Sequence, residues 1–237
     1  MESKEDCGVC GKPLIYSTEE ITTHCDLCRA EFDTRIFCPE GHYVCDACHS
    51  RAALDILRNV LAETDCADPF ELLERVMSHA SIPMHGPEHH AILPAVIVAA
   101  VEKAGYLVPA NALEKAIQRG TELPGGWCGS HGTCGGGVGV GIAVSVLTEA
   151  TPLKGPERSL ATAATAYALT RLVDDGPRCC KRMLRIGLEA AVEFLEERLS
   201  ITLVTDPPKT CRFVARNAEC IREECAYFGA RKGRTKK

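Results

Sequence analysis

Within the first fifty residues, eight soft metal ligands fall into four pairs: Cys7/Cys10, Cys25/Cys28, Cys38/His42 and Cys45/Cys48. Three are C-x2-C knuckles, a spacing that turns two thiolates onto one ion while backbone N–H groups point at the sulfurs. The fourth is C-x3-H, with Gly41 just before the histidine. Eight such donors complete two tetrahedral sites, so two structural zinc ions are expected. Structural disulfides are the competing use of these cysteines, but the C-x2-C spacing favours metal and the opening MESKEDCG carries no apolar secretory core.

The run CPEGHYVCDAC (38–48), followed by RAALDILRNVLAE (51–63), resembles the middle of a RING-type zinc module, where C-x3-H precedes C-x2-C and a helix. That module has its last C-x2-C downstream. Here the next cysteine is the solitary Cys66, and the spare pair Cys7/Cys10 lies upstream. Interleaved sites are therefore expected, Cys25, Cys28, Cys45 and Cys48 around one zinc and Cys7, Cys10, Cys38 and His42 around the other, with sequential filling as the alternative.

Three further constellations could carry chemistry. In HGPEHH (85–90), Pro87 suits a first helical turn, from which His85 and His89 share a face as ligands or proton-transfer groups; capping is the plainer use. In GGWCGSHGTCGGGVGVG (125–141), Cys128 and Cys134 flank His131, and the glycines let the backbone wrap a cluster or ligand. It matches neither a phosphate-binding Walker loop nor a dinucleotide fingerprint. In GPRCCKR (176–182), a helix starting at Pro177 would put Cys179 and Cys180 in its first turn among Arg178, Lys181 and Arg182, favouring thiolate over thiol. The tail adds Cys211, Cys220 and Cys225, three ligands whose fourth could be a histidine, Cys66 or an open position. An iron–sulfur cluster and a third structural zinc both suit that tail.

These residues have to be positioned by helices. Asp68 can cap a helix from Pro69 through FELLERVMSHA, and a helix from Pro87 through HHAILPAVIVAAVEKAG is apolar nearly all round, with a bend expected at Pro94. ANALEKAIQRG (110–120), residues 157–175 and residues 177–199 read as further helices. GGVGVGIAVSVLTEA (136–150) reads as a close-packed helix or a buried strand, with helix favoured; ITLVT (201–205) is the one convincing β-like stretch. The expected fold is mainly α: a two-zinc RING- or treble-clef-like module over 1–50, an all-α domain over 51–205, and a cysteine-containing tail with a basic end over 206–237.

Of 237 residues 15 are cysteine, and the net charge is −5, which argues against a nucleic-acid partner of the usual basic kind. The longest apolar run, AILPAVIVAAV (91–101), is about half a membrane span. So many cysteines without an export signal point to a reducing cytoplasm.

HGPEHHAILPAV, GGWCGSHGTCGGGVGVGIAVS, ATPLKGPERS and GPRCCKR together resemble an uncharacterised family of prokaryotic cysteine-rich proteins, frequent in methanogens and other anaerobes, over about residues 5–228. Membership implies a cytoplasmic protein with a metal or sulfur function. A weaker likeness, over 126–199, is to redox-active helical proteins with a Gly-Cys-Ala stretch and a Cys-Cys pair; CysGlyGlyGly (134–137) departs from that motif. The expected function is metal-dependent redox, sulfur or one-carbon chemistry at a Cys/His site in the helical domain, where Cys128, Cys134, Cys179 and Cys180 gather around an iron–sulfur cluster or another thiophilic metal. A small molecule or a redox protein would be the partner. A non-catalytic zinc adaptor or small-molecule sensor is the alternative.

Overall fold

A computed structural model of the chain describes residues 7, 10, 12–174 and 176–229; the opening residues 1–6 and the basic end 230–237 lie outside the described residues. The chain divides into two compact units, Met1–Arg51 and Ala52–Lys237.

The first unit is an antiparallel hairpin followed by the start of a helix. Strand β1 (Ile15–His24) pairs with β2 (Glu31–Phe37), Ile15 opposite Phe37 and His24 opposite Glu31, with an irregularity in register between Tyr16 and Ile21. Neither strand was expected from the sequence, although IYSTEEITTH is rich in the β-branched residues that suit a pleated surface. Helix α1 (Asp46–Glu63) starts just past Cys45. Among the described residues of 7–51, only Cys7, Cys25, Cys38, Cys45 and Ser50 are buried. The interior of this unit is built of cysteines rather than of an apolar core.

The second unit is a helical bundle: α2 (Pro69–Ser78), α3 (Glu88–Lys103), α4 (Ala112–Thr121), the single turn α5 (Trp127–Ser130), α6 (Gly135–Leu147), α7 (Gly155–Leu172) and α8 (Cys180–Leu199). The Asp68 carboxylate accepts from the Phe70 N–H at 2.8 Å and so caps α2. Helix α3 is the axis, buried from Ala91 to Val101 and continuous through Pro94. Against it α6 lies parallel, with Gly135 under the His90 ring and Gly139 under Pro94. Helix α8 also runs with α6, Gly187 touching both Leu93 and the Gly136 carbonyl, while α7 returns antiparallel over Gly137 and Gly141. The glycines are what let these axes approach. A Cβ on Gly120 would overlap the Ala91 backbone and sit 2.6 Å from the His90 carbonyl, so no side-chain rotation relieves it. Gly120→Ala is expected to cost roughly 1–3 kcal/mol in chemical denaturation, where an exposed helical glycine would gain from alanine.

ITLVT is not a strand. Residues 201–205 run as irregular chain, with no described strand beside them to accept a ladder. The tail from Cys211 to Phe228 carries two 3-10 turns, Val214–Arg216 and Arg222–Glu224, and belongs to the second unit. Its ends meet where the Cys211 N–H donates to the Tyr227 carbonyl at 2.7 Å, and buried Phe213 and Tyr227 lie under the Arg185 guanidinium at 5.4 and 5.2 Å. Among the described residues no helix is long and apolar enough to cross a membrane.

Candidate metal centres

In the first unit, Cys25 and Cys28 occupy the turn between β1 and β2, closed by the Arg29 N–H donating to the Cys25 carbonyl at 2.9 Å, with Arg29 left-handed at φ 63°. Cys45 precedes α1 and Cys48 sits in its first turn. The four sulfurs lie within 4.8 Å of one another. Asp26 laces the two segments together: its carboxylate accepts from the Tyr43 N–H at 3.0 Å, and its own N–H donates to the Tyr43 carbonyl at 2.8 Å. Burial acts to raise the Cys25 thiol, but the N–H groups of Cys28, Cys45 and Leu27 outweigh it and bring the thiol down to about 6. The Cys45 sulfur beside it, with burial, pushes Cys48 up to about 12. Thiols this close cannot all ionise without a cation among them.

Cys7, Cys10, Cys38 and His42 form the other set, again within 4.8 Å. Gly41, at φ 84°, turns the chain between Cys38 and His42, and the Glu40 N–H donates to the Cys38 sulfur at 3.4 Å. The fold thus gathers the donors in the interleaved manner. Both sets could hold a metal ion, and a tetrahedron of four thiolates beside one of three thiolates and an imidazole is compatible with two zincs.

In the second unit the parallel α3, α6 and α8 bring three helix N-termini to one end of the bundle, and most of the remaining candidates stand there. Cys134 is the N-cap residue of α6, with the Gly136 and Gly137 N–H groups turned to its sulfur. Helix α8 starts at Cys180 rather than at Pro177, which leaves Cys179 in extended backbone at the cap. The two adjacent thiols consequently diverge. Cys180 faces the Gly86 N–H and Cys134, whereas the Asn217 amide donates to the Cys179 sulfur at 3.5 Å. The anticipated quartet of Cys128, Cys134, Cys179 and Cys180 does not gather into one set: Cys128 is exposed on α5, and exposed His131 stacks on Trp127 at 4.9 Å.

His85 lies in the loop before α3, and buried Glu88 and His89 open the helix, the Glu88 carboxylate 2.8 Å from His89 Nδ1. Burial, helped by Arg178, pulls His85 down to about 4, and burial lowers His89 as well. Both imidazoles are neutral in the fold and more readily protonated in the unfolded chain. Stability of the helical unit is therefore expected to be full above about 6.5 and to fall as pH drops from there towards 4. Urea midpoints at pH 7 and pH 5 read this directly, and equal midpoints would contradict it. Burial also brings Lys181 down to about 8, against the opposing pull of Cys180 and Glu88.

The expected lowering of the vicinal thiols is overturned. Burial raises Cys179 and pushes Cys180 up to about 12, because desolvation of a thiolate here outweighs the helix N-terminus and Arg182. Among the thiols of the helical unit in metal-free protein, exposed Cys128 is expected to alkylate before Cys180, which should resist at neutral pH until that unit unfolds. Rapid labelling of native Cys180 near pH 7, read residue by residue in a mass spectrometer, would contradict this.

The partner of the tail cysteines is a residue that sequence spacing could not reveal. Cys211, Cys220 and Cys225 line one small cavity together with Cys179, Arg182, Arg185, Asn217 and a largely apolar remainder. Cys66 is not there; its thiol is 3.2 Å from the Glu71 carboxylate. Among the described residues the only sets of three or more donors within 4.8 Å of one another are the two N-terminal ones, so these four sulfurs stand further apart.

No curated protein and no solved structure matches the chain. One family model does, over residues 57–228, which takes in most of the helical unit and all four cavity cysteines but none of the N-terminal donors. On that match, the chain belongs to DUF5714, a family of unknown function.

Proposed function

We propose that the chain is a metal-dependent protein of redox or sulfur chemistry, in which the N-terminal unit holds two structural zinc ions and the helical unit carries the reactive centre. The observation that carries this reading is the convergence of Cys134, Cys180, His85 and His89 at the N-termini of α3, α6 and α8, beside the cavity that Cys179 shares with the tail. N–H donors at helix ends stabilise sulfur anions, and buried neutral imidazoles accept protons or metals. The raised thiols argue against free nucleophiles, and a bound cation would supply the charge their thiolates need in that buried setting. This chemistry suits a reducing compartment and a small-molecule or protein redox partner.

The zinc ions would act by folding the N-terminal unit, since their donor sets supply four ligands each and keep no open position. A reductive titration of anaerobically purified full-length protein tests the reading. Reversible electron uptake that disappears when metal is stripped from the helical unit is expected. A chain that binds zinc alone and takes up no electrons would leave the zinc adaptor as its description.

A further inference from the structure

We propose that Cys179, Cys211, Cys220 and Cys225 bind an iron–sulfur cluster, with cysteine at all four ligand positions. Three of these residues lie on the tail and the fourth at the cap of α8, 32 residues before Cys211 in sequence, and all four line one small cavity. The fourth ligand matters chemically. Three cysteines and an open position would describe a substrate-binding cluster, whereas four describe a coordinatively complete one that passes single electrons.

The cavity sulfurs are not drawn together as the donors of the N-terminal sites are. At the two N-terminal sites the donors have closed to within 4.8 Å of one another, as one tetrahedral ion requires. The four cavity sulfurs have not, although they line the same space. A cluster interposes iron and sulfide between its thiolates and needs that wider frame.

The wall is largely apolar, with Met84, Phe213, Val214, Ile221 and Phe228 in it, but the thiols meet N–H donors and two arginines there. The Phe213 N–H donates to the Cys211 sulfur and the Arg222 N–H to the Cys220 sulfur, each at 3.4 Å, while the Asn217 side chain and the Arg182 backbone N–H serve Cys179. Such N–H···S bonds stabilise cluster thiolates and set their potential. Two arginines that line the cavity are almost wholly buried, Arg182 at 4% and Arg185 at 1% exposure. Each keeps a donor without a protein partner, Nε of Arg182 and Nη2 of Arg185. Nη2 of Arg182 holds Asp174 at 2.9 Å and Nε of Arg185 holds Glu74 at 2.6 Å. A buried cationic donor left unpaired is costly, and an anionic cluster among the four thiolates supplies what these atoms lack.

This inference rests on reading the helical unit as the one that holds a reactive metal, yet the two fail separately. Full-length protein and single variants Cys179→Ser, Cys211→Ser, Cys220→Ser and Cys225→Ser are reconstituted anaerobically with ferrous iron and sulfide, with Cys66→Ser and Cys128→Ser as comparators and Cys134→Ser and Cys180→Ser as the competing ligand set. The parent chain is expected to gain a visible sulfide-to-iron absorption and, after one-electron reduction by dithionite, a paramagnetic signal. Each of the four variants should lose most iron and sulfide, at least several-fold, at unchanged zinc, and the comparators should lose none. Arg182→Gln gives a readout that survives a folding defect in the serine variants, because removing a cation beside a retained cluster should make it harder to reduce. Three results would overturn the assignment: iron and sulfide kept by all four variants, their loss instead in Cys134→Ser and Cys180→Ser, or a third zinc in place of iron. The second of these leaves the redox reading standing with a different ligand set. The third also ends the cluster, and the electron-uptake test then decides that reading alone.

Discussion

Removing metal from the N-terminal donor sets is expected to unfold residues 7–51 while most of the far-UV helical signal survives. The two hairpin strands are largely exposed, and among the described residues of that unit the buried side chains are Cys7, Cys25, Cys38, Cys45 and Ser50. Structural zinc in small modules is worth about 10–16 kcal/mol of folding free energy at neutral pH, more than any contact the unit makes without it. Residues 52–229 keep a core of their own, with Leu57, Phe70, Leu73, Ile92, Val96 and Leu188 all at 2% exposure or less. Circular dichroism combined with limited proteolysis during chelation distinguishes the outcomes. Cleavage confined to the first fifty or so residues is expected, and helicity that collapses in step with zinc release would show that the division at Arg51 is wrong.

The second large effect should come from Glu74→Ala. Arg185 is fully buried on α8, and its Nε donates to the Glu74 carboxylate at 2.6 Å. Removing the carboxylate leaves a guanidinium in the interior with two aromatic faces for company, a loss of roughly 3–5 kcal/mol for a buried pair broken on one side. Replacing both partners, Arg185→Met with Glu74→Leu, should recover most of it, since a packed apolar pair carries no desolvation cost. Denaturant midpoints of metal-free protein measure both. A Glu74→Ala loss below about 1 kcal/mol would place this pair with exposed ion pairs and remove Arg185 as a buried donor at the cavity.

The N-terminal donor sets were legible because knuckle spacing is local: two thiols separated by two residues can turn onto one ion in almost any context. Their interleaving was legible as well, because Cys7 and Cys10 lie on the wrong side of the C-x3-H pair for a RING-type order. The hairpin was not, since its ten-residue first strand is mostly exposed and lacks the buried alternation that marks a strand. ITLVT had the right residue types without a neighbouring strand to use them.

Helices were read well where periodicity or near-continuous apolarity was strong, and α6 was placed as a helix because small residues allow close axes. What failed was the assignment of the vicinal thiols. Successive positions at a helix start point about 100° apart, and a cap residue in extended backbone departs further still, so Cys179 and Cys180 join different neighbourhoods. Sequence offered no sign that Cys179 would meet Cys211, Cys220 and Cys225, because that meeting depends on how the tail packs on α8. Burial decided the thiol protonation against the helix field, and burial at a helix cap is a property of the packed bundle.

Native mass spectrometry of full-length protein purified without oxygen resolves each bound species by mass on one molecule, and so reads most directly what the intact chain carries. Two zinc ions together with one iron–sulfur cluster are expected on the same chain. A population carrying two zincs and nothing more, or three zincs and no sulfide, would contradict a cluster in the helical unit.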